Sequence, residues 1–166
     1  MWCVTKLDQD YVQRMAEVLD ILSQPVDARA PVVALDERPV PLLASKRLGR
    51  TLAPGQFARQ DYEYVRHGTA NVFCIVEPKK GRHHTHVTCN PKAPQFAKAL
   101  RRIAQAHRAT RTIHLIMDNL NTHRAKSLTD TFGRPEGRRL SARFTVHYTP
   151  KHGSWLNPAE LEANLW

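Results

Sequence analysis

The chain has little of what marks a secreted, membrane-spanning or zinc-stapled protein. Cysteine is scarce. Cys3, Cys74 and Cys89 are too few and too far apart for a disulfide framework or a Cys-x-x-Cys site. Long apolar runs are missing: none approaches the roughly 18 residues that span a bilayer. Met1-Trp2-Cys3-Val4 is too short for the core of a signal peptide. There is no internal repeat and no low-complexity tract. The expectation is a reduced, cytoplasmic protein with no membrane partner. Acid is missing too, over one long stretch. Between Glu77 and Asp118 there are nine Lys or Arg and no Asp or Glu.

What is there fits one folded domain. The chain has 166 residues, 42% hydrophobic and 24% charged, enough to bury a core. Lys and Arg number 25 against 15 Asp and Glu, a net charge of +10. Residues 1–83 contribute +2 of this and residues 84–166 contribute +8. A field of that sign attracts polyanions, nucleic acid being the commonest, while plain solvation is the competing reading.

Periodicity supplies the elements. Tyr11, Met15, Val18, Leu19 and Leu22 recur at helical spacing over 8–23, with Asp8 as cap and Pro25 as stop. Val32-Val33-Ala34-Leu35 is a short buried strand ending at Asp36, and 44–61 read as a long basic loop. Strands over 62–76 (with a break near Gly68) and 82–88 form a hairpin across a turn at 78–81. Residues 92–108 make an amphipathic helix with Phe96, Leu100, Ile103 and Ala104 on one face. Lys98, Arg101, Arg102, Gln105 and Arg108 lie on the other. Ile113–Met117 is a buried strand ending at Asp118. A helix over about 122–132 is broken by Gly133–Gly137, and a last strand over 143–148 leads through a punctuated loop to a helix starting at Asn157. The order implies a mixed α/β layer architecture.

The acids at the strand ends are the informative residues. Asp118 is the only acid between residues 78 and 129, and it follows a five-residue apolar strand. Sites in α/β sheets lie beyond the carboxyl ends of strands, although a turn Asp is the plain alternative. Asp36 repeats the pattern. Glu37 points to the opposite face of an extended chain and reads as a surface charge paired with Arg38. Asn157-Pro158-Ala159-Glu160 has the form of a capping box, in which Glu160 only satisfies a backbone donor. Glu162 lies about 200° around the helix from Glu160, so the two cannot share a site. Carboxylates ~4 Å apart repel by roughly 4 kcal/mol per pair, so a cluster of Asp36, Asp118 and Glu160 implies protons or divalent cations. All-oxygen carboxylate sites suit Mg²⁺ or Mn²⁺ and metal-assisted phosphoryl chemistry.

Several segments occur together and in order. They are Leu35-Asp36-Glu37-Arg38-Pro39, Tyr62 to Asn71, Ile116-Met117-Asp118-Asn119 with Thr122-His123, Tyr148-Thr149-Pro150, Ser154-Trp155-Leu156-Asn157 and Ala159-Glu160. The set resembles the catalytic domain of DDE transposases, from the bacterial insertion-sequence branch of the Tc/mariner superfamily. The resemblance runs over about 30–166. It implies a ribonuclease H-like α/β fold, a five-stranded mixed sheet flanked by helices. It implies Asp36, Asp118 and Glu160 as catalytic, metal-binding triad, spaced by 81 and 41 residues, with two Mg²⁺ or Mn²⁺ ions. The implied activity is cut-and-paste transposition with a TA target preference, on transposon ends and target DNA, by a homo-oligomer. Against that family, residues 1–29 are expected to be a linker helix, the tail of a missing N-terminal DNA-binding region. Residues 30–166 are then a catalytic domain truncated at its C-terminus. A ribonuclease H-type nuclease and an inactive DNA-binding remnant are the alternatives.

The remaining features attach to DNA or to the core. Lys98, Arg101, Arg102 and Arg108 form a stripe suited to phosphates, with Lys151 and His123 as further DNA contacts. His83-His84-Thr85-His86 lacks partners at structural-zinc spacing and reads as a polar hairpin strand near DNA. Trp155 reads as core in preference to a base-stacking platform.

Overall fold

The structure is a computed structural model and describes residues 8–47, 54–55, 62–89, 93–118 and 125–165. His123, the Asn119 and Thr122 of the motif, and most of the 44–61 loop lie outside the described residues. In chain order the elements are α1 (Gln9–Ser23), β1 (Val32–Ser45), β2 (Tyr64–Glu77), β3 (Arg82–Thr88), α2 (Ala93–Ala106), β4 (Ile113–Met117), α3 (Ala125–Phe132), α4 (Arg134–Ser141), β5 (Phe144–Tyr148) and α5 (Pro158–Ala163). The strands form one mixed sheet in the order β3-β2-β1-β4-β5. β1, β2 and β3 pair antiparallel, as a hairpin meander must, whereas β4 and β5 join parallel to β1 through helical crossovers.

Strand alternation divides the apolar residues between two cores. On one face Val33 and Leu35 of β1, Phe73 and Ile75 of β2, and Ile113, Leu115 and Met117 of β4 pack under α2, α3 and α4. On the other, Val32 and Ala34, Cys74 and Val76, and Ile116 pack against Val18 and Ile21 of α1 and Ala159 and Ala163 of α5. Near-continuous burial of Val32–Leu35 and Ile113–Met117 follows from this two-sided cover. Asp8 caps α1 by accepting the Tyr11 N–H at 2.8 Å. Half-buried contacts then dock α1 on β4 and β5. Glu17 meets His147 at 2.7 Å, and His147 meets His114 at 2.9 Å. Burial, and then the neighbouring His147, hold the His114 imidazole below its ordinary pKa.

Four expectations need correction. β1 runs ten residues past Leu35, paired only with β2 over its outer part. Among the described residues no strand pairs with the other side of that part, where Pro39 and Pro41 are tolerated. The expected break at Gly68 is a bulge inside a continuous β2: Pro41 faces Thr69 but Leu43 faces Arg66, with Gly68 at φ +107°. The Gly133–Gly137 segment is a helix boundary followed by a further helix, α4, because Gly133 at φ +82° ends α3 and Pro135 opens the next first turn. Trp155 is 47% exposed, since the 3₁₀ turn Ser154–Leu156 turns Leu156 inward in its place.

Gly137 shows why α4 can lie against α3. A Cβ there would stand 2.5 Å from the Thr129 Cα and 2.6 Å from its nitrogen, backbone atoms that cannot rotate away. Gly137→Ala is expected to destabilise the domain by about 1–3 kcal/mol, the usual cost of overpacking. Thermal unfolding reads this as a lowered Tm, and an unchanged Tm would contradict the packing described.

Candidate active site

The register of the sheet brings the two strand-end acids side by side. Leu35 and Met117 are the last paired residues of the parallel β1–β4 ladder. Asp36 and Asp118 are therefore the next residues on strands about 4.8 Å apart. Leu35 and Met117 both point into the core under α2, so their successors turn to the opposite face, the one covered by α1 and α5. Asp36 pairs across β2 with Cys74, which belongs to that second core. The Cys74 thiol senses the acids nearby. It is pushed up to about 11, first by burial and then by the charges of Asp36 and Glu162. Glu37 takes the other face and accepts a 2.7 Å hydrogen bond from Asn71 Nδ2. The expected Glu37–Arg38 pair does not form, because consecutive strand residues diverge; Arg38 donates instead to the Ala163 carbonyl.

Asp118 is steered from β5. The Thr149 hydroxyl, on a residue only 3% exposed, donates to Asp118 Oδ1 at 2.7 Å, and the Thr149 N–H reaches the Met117 carbonyl at 3.1 Å. A side-chain bond and a backbone bond from one residue thus fix the end of β4. Lys151 follows in an exposed turn at the same edge, closed by the Gly153 N–H on the Pro150 carbonyl at 2.9 Å.

Glu160 is delivered by α5, which is tied to β1 at both ends. Asn157 is fully buried. Its Nδ2 donates to the Leu35 carbonyl at 3.1 Å while its Oδ1 caps the helix on the Ala159 N–H at 3.1 Å. At the far end stands the Arg38 contact with Ala163. Six helical residues span about 9 Å and the three steps from Leu35 to Arg38 about 10 Å, so α5 lies along β1 with Asp36 between the tethers. The capping-box alternative for Glu160 is not realised: the Asn157 N–H goes to the Ser154 carbonyl at 2.7 Å. Glu160 Oε2 is buried with no hydrogen-bond partner. Glu162 lies 3.4 Å from His83 of β3.

Asp36 lies on the sheet face covered by α1 and α5, Asp118 directly follows the neighbouring strand, and Glu160 stands on α5. Among the described residues, however, no three His, Cys, Asp or Glu side chains converge into a metal-holding group. An orphaned carboxylate oxygen on Glu160 and an all-oxygen donor set fit a hard divalent cation in chemistry. The basic stripe is elsewhere. Lys98, Arg101 and Arg102 are exposed along α2, whose inner side closes the core on the opposite face of the sheet, and Arg108 is exposed in the turn that follows it. Thr149 and the Asn157–Leu35 bond escaped sequence reasoning. Their only local signals were a Thr after a strand and an Asn before a Pro, and both partners lie far away in the chain.

No helix among the described residues is long and apolar enough to cross a membrane. Among curated protein sequences none is significantly similar to this chain. Solved structures are similar. A pre-cleavage Mos1 transpososome superposes with a TM-score of 0.59 at 17% identity, covering 99% of this chain and 51% of the other. The Mos1 strand transfer complex gives 0.58 at 18% identity, over 99% and 50%. The Mos1 mariner paired end complex with Mn gives 0.57 at 18%, over 99% and 51%. The chain thus spans about half the length of the Mos1 chains it matches, and it shares their ribonuclease H-like fold, as expected from its motifs. A family model described as DDE superfamily endonuclease matches residues 31–165.

Asn157→Ala removes a helix cap and leaves the buried Leu35 carbonyl without its donor. The expected loss is about 2–4 kcal/mol, measured by urea unfolding. Asn157→Asp keeps the capping oxygen but not the donor, so it should not restore stability. Restoration by Asp would mean that the cap alone matters.

Proposed function

The chain belongs to the DDE superfamily endonucleases, and on that premise we propose that it is the catalytic core of a DNA transposase, cutting and joining phosphodiesters at Asp36, Asp118 and Glu160. The observation that carries this reading is the shared sheet end, with Asp36 and Asp118 on neighbouring strands and Glu160 brought over β1 by a helix tied at Leu35. Glu160 is favoured over Glu162 because its Oε2 is buried without a partner, whereas Glu162 is close to His83.

In this mechanism Asp36, Asp118 and Glu160 would hold two divalent cations, Mg²⁺ or Mn²⁺, which would supply a water of lowered pKa and a counter-charge for the leaving 3′ oxygen. Thr149 donates to Asp118 Oδ1 and so orients the carboxylate. Asn157 sets the height of Glu160 over β1. Lys151 is placed to meet a phosphate entering at this edge. The same reading makes transposon ends and target DNA the partners and a homo-oligomer the active form. The Mos1 complexes, with their paired ends and strand-transfer state, support it by analogy of fold.

The test is metal-dependent cleavage of duplex DNA followed by joining of the freed 3′-hydroxyl to a second duplex. Asp118→Asn and Glu160→Gln are each expected to cut the rate by more than about 10²-fold, since even an outer-shell partner of a metal ligand is worth 10–100-fold. Chelation by EDTA should abolish the reaction. Cleavage that survives Asp118→Asn would overturn the assignment, and hydrolysis without joining would favour a ribonuclease H-type nuclease.

A further inference from the structure

Several cations stand beside carboxylates. Arg14 is 2.9 Å from Asp10, Lys46 and Arg47 are 3.2 and 3.5 Å from Glu63, Lys80 is 3.0 Å from Glu77, and Arg139 is 2.7 Å from Glu136. Arg38, Lys79 and Arg143 instead donate to backbone carbonyls. The exposed cations on and just beyond α2 also lack carboxylate partners. Among the described residues no carboxylate is in salt-bridge contact with Lys98, Arg101, Arg102 or Arg108, although Glu136, held below its ordinary pKa first by its Arg139 hydrogen bond, also feels the charge of Arg101. Two of these side chains are nonetheless held in place, and by uncharged partners. The Arg102 guanidinium donates to His86 Nδ1 at 2.5 Å, and the His86 ring stacks on buried Phe73 at 6.3 Å. The Arg101 guanidinium carbon sits 4.4 Å over the Phe132 ring.

The His86 contact defines its own chemistry. An arginine can only donate, so Nδ1 must accept and the ring proton must sit on Nε2. Burial first, then Arg102 and Lys98, hold His86 below its ordinary pKa and keep it neutral. A guanidinium oriented by a neutral ring keeps its full charge and has already lost part of its rotamer freedom. Both effects favour binding an anion over remaining solvated. From Lys98 to Arg102 the helical part of the stripe spans about 6 Å, the axial length of about two base pairs, and Arg108 follows in the turn beyond α2. Helices α2, α3 and α4 together carry seven Lys or Arg and two acids. All three pack on the sheet face opposite the one to which Asp36 and Glu160 belong.

We propose that the outer surface of α2, with Arg102 braced by His86 and Arg101 by Phe132, is a second docking surface for the phosphate backbone of duplex DNA, separate from the duplex presented to the carboxylates. This rests on the reading of the chain as a DNA-processing enzyme, and it adds a grip on DNA that is not being cut. Such a surface binds without reading sequence, because phosphate contacts position and only base contacts specify.

The experiment is the salt dependence of binding of a 30-base-pair duplex to the whole chain, followed by fluorescence anisotropy in EDTA so that no cleavage intervenes. The variant Lys98→Gln/Arg101→Gln/Arg102→Gln should lower the magnitude of the slope of log K against log salt by roughly 2 to 3, about 0.9 per lost phosphate contact. The control Arg14→Gln/Lys46→Gln/Arg47→Gln removes the same charge from carboxylate-paired positions and should leave the slope within about one unit of the unmodified protein. Arg102→Gln alone should lower it by about 1, which keeps the test open should the triple variant unfold. The proposal is overturned if the two triple variants weaken binding equally, if neither does, or if the unmodified chain binds no duplex. Binding that follows the expected pattern while metal-dependent cleavage is absent would sink the transposase reading and leave this surface standing.

Discussion

One buried side chain organises the working end of the molecule. Asn157 spends both halves of its amide on different elements, donating to the Leu35 carbonyl in β1 and accepting from the first turn of α5. A six-residue helix has little intrinsic stability, since nucleating a helix is costly and short ones are marginal in water. α5 holds its place because it is anchored, at Leu35 by Asn157 and near its other end by Arg38, and because Ala159 and Ala163 fill the core beneath it. The anchor sits on the carbonyl immediately before Asp36. Any shift of α5 therefore moves Glu160 relative to Asp36.

The sheet separates two tasks. Thr149 orients Asp118 just past β4, and Asn157 ties α5, which carries Glu160, to β1 on the residue before Asp36. The Cys74 thiol, on the face covered by α1 and α5, is pushed up first by its burial and then by the charges of Asp36 and Glu162. On the other face lie α2, α3 and α4 with the surplus of positive charge. The distribution resolves an apparent conflict in a chain of net charge +10 that keeps its candidate centre acidic. The basic helices lie across the sheet from the carboxylates and do not neutralise them.

Much of this was legible from the chain alone. Apolar runs ending in acid marked β1 and β4, and the acid-free basic stretch marked α2, because burial and charge write themselves into local periodicity. What stayed hidden depends on distant partners. The bond from Asn157 to Leu35 joins residues 122 positions apart, and that from Thr149 to Asp118 joins residues 31 apart. No local pattern signals such a meeting. The outer half of β1 was missed because prolines argue against strand unless the strand has an open edge. The helix α4 was missed because Gly133, Pro135 and Gly137 read as breakers. They serve instead as a stop, a start and a point of close approach to α3. The Asp36–Asp118–Glu160 grouping came from ordered motifs. The paired strands and the tethered α5 give it a physical footing.

The central claim is that Asn157 holds Glu160 where it completes a cation site with Asp36 and Asp118. Mn²⁺ binding to the folded chain, followed by electron paramagnetic resonance, tests it without any substrate. The account predicts that Asn157→Ala, in conditions where circular dichroism shows it folded, and Glu160→Gln weaken Mn²⁺ binding by similar factors, on the order of 10–100-fold. Unchanged Mn²⁺ affinity in Glu160→Gln, or in folded Asn157→Ala, would contradict it.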